Sequence, residues 1–190
     1  MKTFPASILL IFAFSTFAAK ADRSPNLILE ENSHLFSFHI PPKWFYSEKL
    51  TKKAGVPLLV VPSLETANPY RANIYVNVAC SKKCGVPGDH AIGAMLDKSK
   101  RRHSKLKTNP LPSVTTESGL SAQVWLLSDL SYADISQEAI AFIDTNHAVV
   151  LAVLSVRSTS TWEADYNSFI KFVSGFKLLD CNSEDSVETC

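Results

Sequence analysis

The sequence predicts an α+β domain built on an antiparallel sheet. Short segments with period-two alternation of apolar and polar residues recur along the chain, and two longer segments instead repeat apolar residues every three or four positions. Most of the strand-like segments follow one another through turns, the order of an α+β rather than an alternating α/β fold.

The first 21 of the 190 residues precede that domain. Met1-Lys2-Thr3 is a short positive start, Ile8 to Phe14 is apolar, and Ala19-Lys20-Ala21 is a small-x-small exit. This is the layout of a secretory signal peptide cleaved between Ala21 and Asp22. The apolar run falls short of the about 20 residues a spanning helix needs. The expectation is an exported protein, periplasmic or secreted, without a stable membrane anchor. Lys2 and Lys20 leave with the leader, so 17 of the 19 basic residues then face 18 acidic ones, a net charge of −1. That balance gives no support to nucleic-acid binding, which favours strongly basic domains.

Residues 22–34 read as a polar N-terminal arm or short edge strand around Leu27-Ile28-Leu29. The domain is expected over residues 35–179. Phe36 to Ile40 alternates strictly, and Pro41-Pro42 stops it because proline cannot donate to a strand ladder. Trp44-Phe45-Tyr46 and a polar stretch, Ser47 to Gly55, follow. Leu58 to Val61, between two prolines, is a second strand, and Ile74, Val76 and Val78 mark a third that ends at Cys80.

A helix is expected from Asp89, with Ile92, Met95, Leu96, Ser99, His103 and Leu106 on one buried stripe. Its last turns carry Lys98, Lys100, Arg101, Arg102, Lys105 and Lys107, charges that complement the helix dipole. Asn109-Pro110-Leu111-Pro112 is expected to end it. Four strands come next: Ser113 to Glu117, Ser121 to Ser128, Gln137 to Asp144 and Ala148 to Val156, the last two joined through Thr145-Asn146. Ala148 to Leu154 has almost no polar face and belongs at a sheet centre covered on both sides. A capping box from Ser160 to Glu163 opens a second helix, whose buried face is Trp162, Tyr166, Phe169, Ile170 and Val173. Gly175 terminates it, a short strand ends the domain near Leu179, and residues 180–190 form a tail.

The run Phe36-x-Phe38-x-Ile40-Pro41-Pro42-x-Trp44 resembles the F-x-F-x-x-P-x-G-W opening of the PsbP-like superfamily, with Lys43 at the glycine position. The order of elements is similar too. The resemblance implies an α-β-α sandwich, an antiparallel sheet packed between helices, of the Mog/PsbP type, and the export signal points to its bacterial, DcrB-like envelope branch. Members of that superfamily are mostly non-catalytic binding or assembly proteins, so it implies such a role and no shared active-site residue.

The mature chain contains Cys80, Cys84, Cys181 and Cys190, an even count suited to an oxidising compartment. Sequence proximity favours Cys80–Cys84 and Cys181–Cys190 among the three possible pairings. The opposing reading is a metal or small-ligand site using Cys80 and Cys84 with His90 or His147, since C-x3-C spacing can hold a soft metal. Lys82 and Lys83 would repel the cation. For partner binding, the candidates are Lys98, Lys100, Arg101 and Arg102 at the basic helix end and Tyr46 in the aromatic cluster. Each has a plainer reading: a solvated helix face for the cations, and core packing for the neighbouring Trp44.

An enzyme finds little support. There is no H-E-x-x-H, no G-x-S-x-G elbow and no Walker A loop. A hydrolase assembled only in space stays open as a further alternative. The leading expectation is a non-catalytic exported domain, without a cofactor, that binds an envelope or extracellular protein.

Overall fold

The computed structural model describes residues 26–31, 34–62, 71–80, 88–130, 135–145, 148–157 and 161–179. Its elements, in chain order, begin with β1 (Asn26–Glu31), β2 (His34–His39), β3 (Phe45–Tyr46), α1 (Glu48–Ala54), β4 (Leu58–Val61) and β5 (Ala72–Cys80). After these come α2 (Gly88–Arg102), β6 (Lys107–Thr115), β7 (Ser121–Ser128), β8 (Gln137–Asp144), β9 (Ala148–Val156), α3 (Trp162–Ser174) and β10 (Lys177–Leu179). The strands form two antiparallel sheets. The larger has seven strands in the order β3-β4-β5-β9-β8-β7-β6, and the smaller has the order β1-β2-β10. The expected α+β class and the sheet packed between helices are both present.

Strand β9 lies between β5 and β8, paired in register with each over most of its length. Its two faces enter different cores, because successive side chains in a strand point to opposite sides. Val150, Ala152, Leu154 and Val156 join one apolar cluster, while Val149 and Val153 join another. The first cluster is closed by α3 and the small sheet through Phe36, Phe38, Phe169, Phe172 and Phe176, all fully buried. Phe38 stacks on Phe172 at 5.0 Å and meets Phe176 edge-on at 5.3 Å. The second cluster is covered by α2 through Ile92 and Leu96.

Where α3 meets β2 the chains touch closely. A Cβ added to Gly175 would lie 2.6 Å from the Cβ of His39, so glycine is required there by space. Its backbone is ordinary, at φ −78°, and the helix ends without the left-handed terminator that glycine often supplies. The helix opens at Thr161 as N-cap, whereas the expected cap, Ser160, lies outside the described residues.

Two further departures from the sequence reading have physical causes. First, α2 ends at Arg102, and Leu106 N–H donates to the His103 carbonyl in a turn that brings Leu106 into the second core. The stretch Asn109-Pro110-Leu111-Pro112, expected to stop a helix, lies inside β6. That strand is the sheet edge, where a missing N–H costs no ladder bond, and its register shifts between Leu111 and Val114, around Pro112. Second, Ser47 to Gly55 contains α1. Ser47 caps it by accepting from Leu50 N–H, and Gly55, at φ 67°, returns its N–H to the last-turn carbonyls. Trp44 is buried in the main core, the packing reading that the sequence favours.

Trp44 N–H donates to the Pro41 carbonyl at 3.0 Å, closing a turn with Pro42 and Lys43 at its centre. Lys43 has φ 66°, in the left-handed region that a side chain occupies at a cost of about 1–2 kcal/mol. A proline followed by a positive φ is the pattern of a type II turn, which favours glycine second. Glycine would occupy this position without that cost. We predict that Lys43→Gly raises the folding free energy by up to about 1 kcal/mol, the relief of φ exceeding the added freedom of the unfolded chain. An unchanged or lower urea midpoint at equal m-value would contradict this.

Candidate functional site

The pleat of the seven-stranded sheet decides which residues face α2. On β5 these are Tyr75 and Asn77, and on β9 they are Leu151, Val153 and Ser155. Strand β8 adds Glu138 and Ile140, and β7 adds Leu127. The register places Tyr75 opposite Val153, Asn77 opposite Leu151, and Glu138 opposite Ser155. Helix α2 covers this face with Met95, Leu96 and Ser99 but leaves an open cleft of about 520 Å³, whose lining also includes Arg102, His103 and Leu130.

Apolar and polar side chains share the lining, and a buried polar chain lies at its floor. Ser155 Oγ donates to Glu138 Oε1 at 2.6 Å, and both residues are about 95% buried. Tyr75 hydrogen-bonds to Ser155 in turn. Burial pushes the Tyr75 hydroxyl well above its ordinary value, the Glu138 charge adds to the rise, and the Ser155 bond opposes it. A carboxylate on a strand face otherwise used for packing is costly unless paired or hydrogen-bonded. This site combines apolar walls with a few converging polar groups, the usual composition of a ligand pocket.

The four cations singled out in the sequence, Lys98, Lys100, Arg101 and Arg102, are all exposed on α2. Among the described residues none of them has an ion-pair partner, whereas Lys107 is paired with Asp129 and Lys177 with Glu117. Arg102 is the one of the four that lines the cleft. Tyr46 is exposed too, beside the exposed Phe45, but it sits on the edge strand β3, away from the strands beneath α2. The structure therefore separates Tyr46 from the basic helix end.

The sulfur of Cys80, the side chain of His90, and Cys84, His147, Cys181 and Cys190 lie outside the described residues. The backbone of Cys80 closes β5 opposite Ala148. Among the described residues, no group of three or more His, Cys, Asp or Glu side chains could hold a metal ion, and no helix is long and apolar enough to cross a membrane.

Sequence reasoning missed Tyr75, Ser155 and Glu138. A signal existed in β8, where Glu138 shares the period-two phase of Ile140 and Phe142, so a charge occupies a position whose partners are buried.

Tyr75 also predicts a pH dependence. Its pKa is raised on folding from an ordinary value of 10.0, so above that pH the unfolded chain loses a proton that the folded chain keeps. Stability from this group is complete below pH 10 and declines as pH rises beyond it. Urea midpoints measured from pH 9 to about 11 should fall less steeply for Tyr75→Phe than for the wild type. Parallel slopes would count against it.

Solved structures that share this architecture include the following two. The solution structure of cyanobacterial PsbP (CyanoP) from Synechocystis sp. PCC 6803 matches with a TM-score of 0.51 and 13% identity, over 84% of this chain and 96% of that one. The 1.9 Å crystal structure of the Saccharomyces cerevisiae Ran-binding protein Mog1p matches with a TM-score of 0.50 and 14% identity, over 83% of this chain and 97% of that one. No protein-family model and no curated protein matches the sequence. At these identities the likeness establishes the fold, which is of the PsbP/Mog1 type.

Proposed function

We propose that this chain, which has the PsbP/Mog1 fold, is a non-catalytic binding domain that docks an acidic surface of a protein partner on the basic end of α2. The observation that carries the reading is the group of four exposed cations, with no ion-pair partner among the described residues, on the last turns of one helix, Lys98, Lys100, Arg101 and Arg102. Surface cations usually find counter-charges or stay dispersed. A concentrated set instead raises the encounter rate with an acidic partner and orients it. One structural neighbour is a Ran-binding protein, which supports a protein-binding use of the fold.

The leader Met1 to Ala21 supports export and hence a periplasmic or extracellular partner. The same compartment supports disulfides Cys80–Cys84 and Cys181–Cys190, one pinning the exit of β5 and the other the tail.

Two measurements test the proposal. In the first, the tagged protein is crosslinked in its native compartment beside a variant with Lys98, Lys100, Arg101 and Arg102 all changed to Glu. The wild type should capture a specific partner, and the variant should lose at least about tenfold of it with unchanged thermal stability. Equal capture by both would remove α2 from the interface. In the second, thiol titration of the exported, denatured protein should find no free thiol, and peptide mapping should show both short loops closed. A bridge between the two pairs would refute the pairing, and free thiols would refute the disulfides.

A further inference from the structure

An edge strand leaves a row of backbone N–H and C=O groups without ladder partners. Proteins protect such edges with short strands, prolines, bulges, lysines or a covering segment. Among the described strands, the two sheets end in β3, β6, β1 and β10. Three of these edges are protected. Strand β3 has only two residues. Strand β6 carries Pro110 and Pro112 and shifts its register beside the second. Strand β10 has three residues, begins with Lys177, and gives its Leu178 N–H to Ser118 Oγ at 2.8 Å.

Strand β1 has none of these devices. It is six residues long, contains neither proline nor lysine, and pairs in unbroken register with β2. Leu27 and Leu29 lie opposite Phe38 and Phe36 and join the main core, so Asn26, Ile28 and Glu30 share the outer face. Ile28 is 67% exposed, the largest exposure of any big apolar residue among those described. An apolar side chain in the middle of an unprotected edge marks a place where a further strand can add.

The sequence of β1 fits a second copy of itself. In a two-fold antiparallel pair, directly opposed residues share a face, so the axis passes through a residue position and not between two. Centred on Ile28, the pair sets Ile28 against Ile28, Leu27 against Leu29 and Asn26 against Glu30. Apolar residues then meet apolar residues on both faces, and each Glu30 carboxylate meets an amide that can donate to it. Moving the axis to Leu29 would set Ile28 against Glu30 and Leu27 against Glu31. Moving it to Leu27 would set Ile28 against Asn26. Only the register centred on Ile28 keeps like with like.

We propose that β1 is a homodimer interface, joining the three-stranded sheets of two copies into one continuous sheet with its two-fold axis at Ile28. The contact is isologous, as closed dimers require. A single strand edge is a small interface, so the dimer is reversible and depends on concentration. It uses neither α2 nor the cleft, and it stands or falls separately from the docking of an acidic partner.

Sedimentation equilibrium of the exported protein should show a reversible monomer–dimer equilibrium. Because Ile28 is exposed, Ile28→Lys and Ile28→Glu should leave the monomer folded while setting like charges against each other at the axis. Each variant should dimerise at least about tenfold more weakly than the wild type. An equimolar mixture of the two should recover association, since Lys then opposes Glu. A wild type that stays monomeric up to its solubility limit, undiminished dimerisation of Ile28→Lys, or no recovery in the mixture would overturn the proposal. Should either variant fail to fold, amide hydrogen exchange of the wild type decides it. The β1 amides should gain protection as protein concentration rises, and equal protection at all concentrations refutes the interface.

Discussion

Strand β9 has no face that can be left in water, and most of the architecture follows from covering it twice. Burying an aliphatic side chain of this size is worth about 1.5–3 kcal/mol relative to exposing it. Val149, Val150, Val153, Leu154 and Val156 are all at or below 4% exposure, and they divide between the two faces. One face meets α3 and, through the phenylalanines of β2 and α3, the three-stranded sheet. The other meets α2. Two helices on opposite faces of a central antiparallel sheet are thus demanded by one strand that is apolar on both phases.

The two coverings differ, and the difference creates the site. On the α3 side, four fully buried phenylalanines, Phe36, Phe38, Phe172 and Phe176, interlock with ring centroids 5.0–5.8 Å apart where they pair. Gly175 is pressed so closely on His39 that even a methyl group would clash. On the α2 side, the helix contacts the sheet with Ile92 and Leu96 but stops at Arg102, and the polypeptide turns through His103 to Leu106 before entering β6. The sheet face on this side is where the half-buried Tyr75 and the buried Ser155 and Glu138 replace aliphatic residues. Tight packing on one side gives the sheet a rigid floor, and the shorter cover on the other leaves room above it.

The parts of this arrangement that rest on local periodicity were legible in the amino-acid sequence. The boundaries of β4, β7, β8 and β9 follow from alternation and turn residues, and the double burial of β9 follows from its unbroken apolar run. What was not legible depends on position within the sheet. Prolines 110 and 112 read as a helix stop because proline normally interrupts ladders, and the exemption for an edge strand requires knowing that β6 is an edge. Helix α1 is only seven residues long, too short for a periodic stripe, although Ser47 and Gly55 mark its two ends. The polar chain in the cleft joins β5, β8 and β9, residues 63 to 80 positions apart from Tyr75. No local pattern could join them, and the single clue was one carboxylate on a buried phase.

The charges of α2 are spread around the end of one helix. Lys98, Lys100, Arg101 and Arg102 lie where the helix dipole is negative, so their placement stabilises the helix by about 0.3–1 kcal/mol per favourable site at low salt. That gain holds for any direction in which the side chains point, and it therefore cannot explain why they point as they do. Successive helical residues are rotated by about 100°, so four cations within five positions cannot share one face. Arg102 comes to line the cleft, while its neighbours project elsewhere into solvent. A cationic field therefore surrounds the helix end, and it falls off over a Debye length of about 8 Å at physiological salt, so raising ionic strength attenuates the attraction it exerts on an acidic partner.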